Sequence, residues 1–297
     1  AMSLDAIREQ ALDHWAPQPG EIAGEGLEES LEAGKVLYFP RLRFSFDGDE
    51  QRFLSEQWAD GKAKNISFRG VDNPLQGAQG SAADIEQLKA VIARFAEQAG
   101  TLVHGLFPRY RGYLRTGFTS YRTASVEGRV TSWRKDDTRL HVDSFPSNPT
   151  GGVRLLRVFT NVNPSGLPRV WRVGEPFPDH ARAFFPRASR PVPGSAWLLE
   201  KLGITKARRS EYDHYMGQLH DLGKADLEYQ QSSPQLTFEF PAGSSWVVFS
   251  DQVLHAVMAG QFMLEQTFYL EPEHLVNPAS GPLNILEGLA GHPLRNG

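Results

Sequence analysis

At 297 residues and 33.1 kDa, with 40% hydrophobic and 22% charged residues, the chain can bury a sizeable core as one large β-rich domain or two ordinary ones. Cysteine is absent, which excludes disulfides, thiolate metal sites and cysteine nucleophiles and fits a reducing, cytoplasmic compartment. The formal charge of -4 conceals an asymmetry: between Arg109 and Arg172, eleven arginines and one lysine face four acids, a local +8 that leaves -12 for the remainder. No apolar run approaches the ~20 residues of a membrane span. Ala1-Met2-Ser3-Leu4-Asp5 lacks the basic-then-apolar order of a signal peptide, so none is expected.

In chain order, residues 3–12 suggest a short helix. Val36–Phe39 suggests a strand, and Leu42–Phe46 a second, alternating one after Pro40. Glu50–Gln57 suggests another short helix. Ser81 with Asp84 three residues on forms an N-cap signal, and Ile85, Leu88, Val91, Ile92 and Phe95 recur at helical spacing, so 82–98 is the strongest predicted helix. The apolar run Thr101–Phe107 has no clear type. From Phe118 the pattern changes to short strands separated by polar and glycine turns: 118–125, 130–133, 139–143, 153–162 and 170–173. A mainly helical stretch at 177–230 interrupts them. The strands then resume at 236–240, 246–250, from His255, and at 261–270, a series that predicts a sandwich or barrel.

The candidate chemistry centres on Arg139-Leu140-His141-Val142-Asp143. On an extended strand His141 and Asp143 share a face, with Val142 on the other. His255 opens another strand-like run. Two imidazoles and one carboxylate leave coordination positions open and suit a non-haem Fe(II) oxygenase; zinc would take the same ligands with one fewer open position. Neither an H-E-x-x-H pair nor a nucleophile elbow is present. His214 and His220 are expected to be structural or surface residues. On the strand from Arg154 to Asn161, alternation puts Arg157, Phe159 and Asn161 on one face and Arg154 on the other. An aromatic and amide face suits a cosubstrate pocket, so Arg157 is favoured over Arg154 as an anion anchor. Asn163, Trp171 and Arg172 are candidates for the pocket border, with Trp171 equally suited to the core. Glu265 is a candidate acceptor for a ligating imidazole, with Gln266 of opposite parity an open alternative.

Three blocks carry a family resemblance: His141-Val142-Asp143-Ser144-Phe145-Pro146-Ser147, Arg154 through Pro164, and Arg169-Val170-Trp171-Arg172-Val173-Gly174. Together they resemble the bacterial Kdo hydroxylases, Fe(II)/2-oxoglutarate dioxygenases that hydroxylate carbon 3 of 3-deoxy-D-manno-octulosonic acid in lipopolysaccharide. The resemblance implies a β-rich fold with flanking helices around a double-stranded β-helix (jelly-roll) core. It implies one catalytic domain over 1–297: an N-terminal mixed region, 1–117, packed on a core at 118–270 that carries the 177–230 insertion. It implies Fe(II) on His141, Asp143 and His255, with 2-oxoglutarate and O2 as cosubstrates, giving succinate and CO2. It implies an anionic glycolipid substrate, Kdo-lipid A, met by transient contact with the inner face of the inner membrane. Many 2-oxoglutarate oxygenases anchor the cosubstrate with a basic residue shortly after the second histidine. This chain has no Arg or Lys between His255 and Arg295, so the anchor is sought among Arg157, Arg154, Phe159 and Asn161.

Two rivals make different predictions. A same-fold oxygenase acting on a protein or small anionic metabolite would share the triad. A non-catalytic jelly-roll sugar-binding module would not bring His255 to His141 and Asp143. A nucleic-acid partner is not expected, since the arginines fall in no recognised binding motif.

Overall fold

The computed structural model of the chain describes residues 4–22 and 26–295. Among them ten strands form two sheets. They are β1 (Ile7–Glu9), β2 (Val36–Phe39), β3 (Ile66–Phe68), β4 (Arg115–Arg122) and β5 (Arg154–Asn161), then β6 (Arg169–Gly174), β7 (Gln235–Phe240), β8 (Ser245–Phe249), β9 (His255–Ala259) and β10 (Met263–Leu270). The larger sheet runs β1-β2-β8-β5-β10-β4-β3 and the smaller β7-β6-β9. The helices are α1 (Leu27–Glu32), α2 (Ala82–Leu106), α3 (Phe177–Phe184), α4 (Ser195–Lys201), α5 (Glu211–Ala225), α6 (Leu227–Ser232) and α7 (Pro282–Ala290). Two largely antiparallel sheets with helices outside them make the double-stranded β-helix.

Strand parity builds the layers. Leu156, Val158, Val247, Phe249, Leu264 and Phe268 leave one face of the larger sheet and meet Leu88, Ile92 and Phe95 of α2. The opposite face carries Phe159, Trp246, Val248 and Met263 against Trp171, Val173, Phe240 and Val257 of the smaller sheet. Phe159 stacks on Trp246 at 5.5 Å and meets Trp171 edge-on at 5.2 Å, each pair adding about 0.5–1.5 kcal/mol beyond burial. A third core joins α3, α5 and α7 through Phe177, Phe184, Tyr212, Met216, Leu219, Leu283 and Leu286. Val142 and Leu254 belong to this third core. The residue between His141 and Asp143 and the residue before His255 are therefore both packed into the core that α3, α5 and α7 share.

Several expectations need correction. Instead of a helix over residues 3–12, Ile7–Glu9 forms a strand parallel to β2; residue 3 lies outside the described residues. Leu42, Phe44 and Phe46 are buried in alternation with exposed neighbours, yet they form no strand, because alternation records one-sided burial and not a ladder partner. The Glu50–Gln57 segment is two 3-10 turns, Gly48–Phe53 and Glu56–Trp58. The helix begins on Ser81, whose hydroxyl accepts from the Asp84 amide at 3.1 Å, and runs on to Leu106, absorbing the untyped apolar run. Residues 130–133 form no strand, and Trp133–Lys135 is a 3-10 turn. Strands β1, β2 and β3, all before residue 117, are members of the larger sheet.

Candidate metal centre

The stretch around His141 is held by its neighbours and not by a full ladder. His141 and His255 exchange backbone hydrogen bonds at 3.0 and 2.9 Å, and the Asp143 amide donates to the Ser250 carbonyl at 2.8 Å. This pairing puts three ligand-type side chains at one end of the space between the sheets. One ligand atom from each of His141, Asp143 and His255 lies within 4.8 Å of the others. The Asp143 Oδ1 is 3.8 Å from His141 Nε2 and 3.7 Å from His255 Nε2. His141 Nδ1 is 2.7 Å from the Arg139 carbonyl, and His255 Nδ1 is 2.7 Å from the Val253 carbonyl. A carbonyl only accepts, so both Nδ1 atoms carry the hydrogen and both Nε2 lone pairs face Asp143. Backbone carbonyls thus fill the role proposed for Glu265.

The electrostatics suit a cation. Burial would raise the Asp143 carboxyl, but the Arg157 guanidinium and then the His255 and His141 rings outweigh it and hold it well below the usual carboxylate range. Burial, reinforced by His255 and Lys224, pushes His141 well below its ordinary value, so the ring is neutral and able to ligate. Trp171 stacks on the His255 ring at 5.0 Å, serving both core and site.

A cavity of about 270 Å³ opens over the three residues. Its lining carries six bases, Lys64, Arg122, Arg134, Arg157, Arg169 and Lys224, against Asp137, Asp143 and Glu265, an excess that favours an anion. Arg157 and Phe159 line it, as strand parity predicts, and so does Trp171. Arg157 already serves two carboxylates, donating to Asp143 at 2.8 Å and to Glu265 at 3.2 Å. Arg154 lies on the opposite face, wholly buried against Asp251 and Gln252, away from the cavity. Asn161 is also outside it, its amide donating to the Leu167 and Phe240 carbonyls. Arg172 donates to the Thr138 and Gln230 carbonyls, and the Asn163 side chain holds a turn by accepting from the Ser165 and Leu167 amides. Neither borders the cavity.

The structure decides between Glu265 and Gln266, and two further features escaped sequence reasoning. Glu265 faces inward with Arg122 and Arg157 as partners, while Gln266 faces away and bonds Thr119. His220 and Lys224, one turn apart on α5, form part of the cavity wall, with His220 edge-on to His141 at 5.6 Å. His220 is therefore a residue of the cleft, and the insertion closes the site. Most telling is Arg169, which is 2% exposed, with Nε and Nη1 buried and lacking any hydrogen-bond partner among the described residues. Burial and then the neighbouring Arg122 push its guanidinium down to about 9, still protonated at neutral pH. Gly260 makes room for it: a Cβ there would come 2.6 Å from Arg169 Cδ. A buried cation with unmet donors is costly unless an anion completes it.

A jelly roll presenting two histidines and one carboxylate in a polar cavity defines the mononuclear non-haem iron oxygenase class of site. Comparisons narrow the class. The family model described as 3-deoxy-D-manno-oct-2-ulosonic acid (Kdo) hydroxylase matches residues 14–293, and the chain belongs to that family. It is similar to the Kdo hydroxylase KdoO, a non-haem Fe(II) α-ketoglutarate dependent dioxygenase. The KdoO structure with α-ketoglutarate and Fe(III) is 46% identical, with TM-score 0.92 over 98% of this chain and 97% of that one. The cobalt(II) complex is 47% identical, with TM-score 0.93 over 98% of both chains. No curated protein sequence matches the chain.

Proposed function

We propose that this chain is an Fe(II)/2-oxoglutarate-dependent dioxygenase that hydroxylates carbon 3 of the Kdo sugar on Kdo-lipid A. The observation that carries the reading is the convergence of His141, Asp143 and His255 with both imidazoles fixed in the ligating tautomer. It also counts against the sugar-binding module, which has no use for such a triad. When bound, iron supplies the oxygen activation that couples decarboxylation of the 2-oxo acid to C–H hydroxylation. The chain's own residues hold and orient. Arg157 locks the Asp143 carboxylate from behind. Phe159 and Trp171 wall the cavity, and α5 adds His220 and Lys224 to its lining. The surplus of cavity bases fits the sugar carboxylate and lipid phosphates of the substrate. The direct test is 2-oxoglutarate decarboxylation by the iron-loaded chain, with product mass measured with and without Kdo-lipid A. One added oxygen, placed by fragmentation on carbon 3, is expected; turnover that ignores the glycolipid but follows a protein or small metabolite favours the rival oxygenase.

The cosubstrate anchor is Arg169, supported by Arg122, with Arg157 positioning Asp143. Arg157 is neutralised by two carboxylates, whereas Arg169 has unmet donors in the same cavity. Arg169→Ala should weaken 2-oxoglutarate binding by roughly ten- to hundred-fold, the worth of charge-assisted hydrogen bonds of about 1.5–3 kcal/mol. Iron retention should be unchanged. Titration of the iron-loaded protein with 2-oxoglutarate measures the first and metal analysis the second. Unaltered 2-oxoglutarate binding in Arg169→Ala, with a large loss in Arg157→Ala, would return the anchor to Arg157.

A further inference from the structure

Among the described residues, five of the twelve large hydrophobic side chains left exposed fall within one short stretch: Val192, Trp197, Leu198, Leu202 and Ile204 are 50–69% exposed. A folded surface rarely concentrates apolar area in this way without a use for it. The geometry of α4 explains the clustering. Ala196 and Leu199 turn toward the body and are half-buried, which leaves Trp197, Leu198, Lys201 and Leu202 on the outward arc. The same stretch is basic. Arg190, Lys201, Lys206, Arg208 and Arg209 face a single acid, Glu200, between residues 190 and 209. Arg190, Lys201, Lys206 and Arg208 form no ion pair among the described residues.

We propose that the outward face of residues 190–209 is a docking surface for an anionic lipid bilayer, with Trp197, Leu198 and Leu202 entering the headgroup region and the surrounding bases meeting lipid phosphates. An interfacial tryptophan beside aliphatic side chains, ringed by lysine and arginine, is the composition that partitions into a charged membrane surface. A protein partner of ordinary composition would not need so one-sided a charge. No helix among the described residues is long and apolar enough to cross a membrane, so the contact is one of surface insertion.

The patch also adjoins the cleft. Behind α4 lies a cavity of about 680 Å³ bordered by Trp197, Arg190 and Arg208. Arg209 and His214 line this cavity and also the smaller one that reaches Asp143 and His220. The patch and the cleft therefore share wall residues, the adjacency that a lipid-anchored sugar requires. Only this connection rests on the glycolipid reading above; docking itself needs no turnover.

The test is sedimentation of the full chain with phosphatidylethanolamine–phosphatidylglycerol vesicles, with phosphatidylcholine vesicles as the neutral control. The wild type should bind the anionic vesicles, bind the neutral ones weakly, and be released by high salt. W197S/L198S and K201E/R208E should each lower the bound fraction at least about tenfold. Both variants should melt as the wild type does. Equal binding by wild type and variants, or equal binding to neutral and anionic vesicles, overturns the proposal. So does a shift from dimer to monomer in W197S/L198S without vesicle binding by the wild type, which would make the patch a contact between copies. A deacylated Kdo saccharide separates the two readings. Equal turnover of it by wild type and variants, with slower turnover of vesicle-borne glycolipid, supports docking. Vesicle binding as expected without any turnover by the wild type defeats the activity and leaves docking standing.

Discussion

His141→Ala is expected to abolish Fe(II)-dependent turnover while leaving the chain folded. Loss of a group that merely orients a metal ligand typically costs about 10–100-fold, so removing a ligand itself should cost more than about a hundredfold. The fold should survive because His141 holds its place through its backbone, which exchanges two hydrogen bonds with His255 that the substitution leaves intact. Val142, packed into the core shared by α3, α5 and α7, fixes the same segment independently. The check is succinate formation by metal-stripped, iron-supplemented protein, beside a melting curve and a metal titration. Full activity in that preparation would remove His141 from the centre, and a collapsed melt would show that the ring was needed for packing.

How far the sequence reaches can be judged residue by residue. The period-two alternation of β5 correctly separated Arg157 and Phe159 from Arg154, because a central strand between β8 and β10 has both faces committed. The H-x-D parity also held, with Val142 turned away into another core, although that stretch forms a single bridge and not a strand. Periodicity failed where burial and hydrogen bonding part company. Leu42, Phe44 and Phe46 are buried on one side without a ladder, and Ile7–Glu9 finds a partner in β2 that no local signal announces.

Ion-pair choice was the other blind spot, because it is decided by tertiary neighbours. Arg157 looked available on its strand, yet Asp143 and Glu265 both reach it. Arg169 looked like one arginine in a basic run, and only the packed structure shows its donors buried and unmet. The absence of a base after His255 turned the search for an anchor to other strands, and β6 carries the candidate proposed above. His220 had a weaker signal. Its place one turn from Lys224 on an amphipathic helix is ordinary until α5 is seen to wall the cleft.

The largest stability effect is expected at Arg154. Its Nε donates to Asp251 at 2.7 Å and its Nη2 to Gln252 at 2.7 Å, with the guanidinium 4.0 Å over the Phe249 ring. Both partners are buried, so Arg154→Met leaves the Asp251 carboxylate in the core without a cation. Breaking such a pair costs about 3–5 kcal/mol, whereas removing both charges together is often close to neutral. Burial already raises the Asp251 carboxyl even with Arg154 opposing it. Without Arg154 its folded-state value rises further above the unfolded one. The folded state then binds more protons than the unfolded state, and stability falls as pH rises through the folded value. The deficit of Arg154→Met should therefore be smallest in acid, below the unfolded carboxylate range, and largest near neutrality. Urea unfolding across that range measures it, with R154M/D251N as the paired control. The double variant should recover most of the loss, and 2-oxoglutarate binding per folded molecule should be unchanged in both. A loss below about 1 kcal/mol in Arg154→Met would place the pair among exposed ion pairs in energetic terms. A selective loss of 2-oxoglutarate binding would instead bring Arg154 into the cosubstrate site, against its position on the far face of β5.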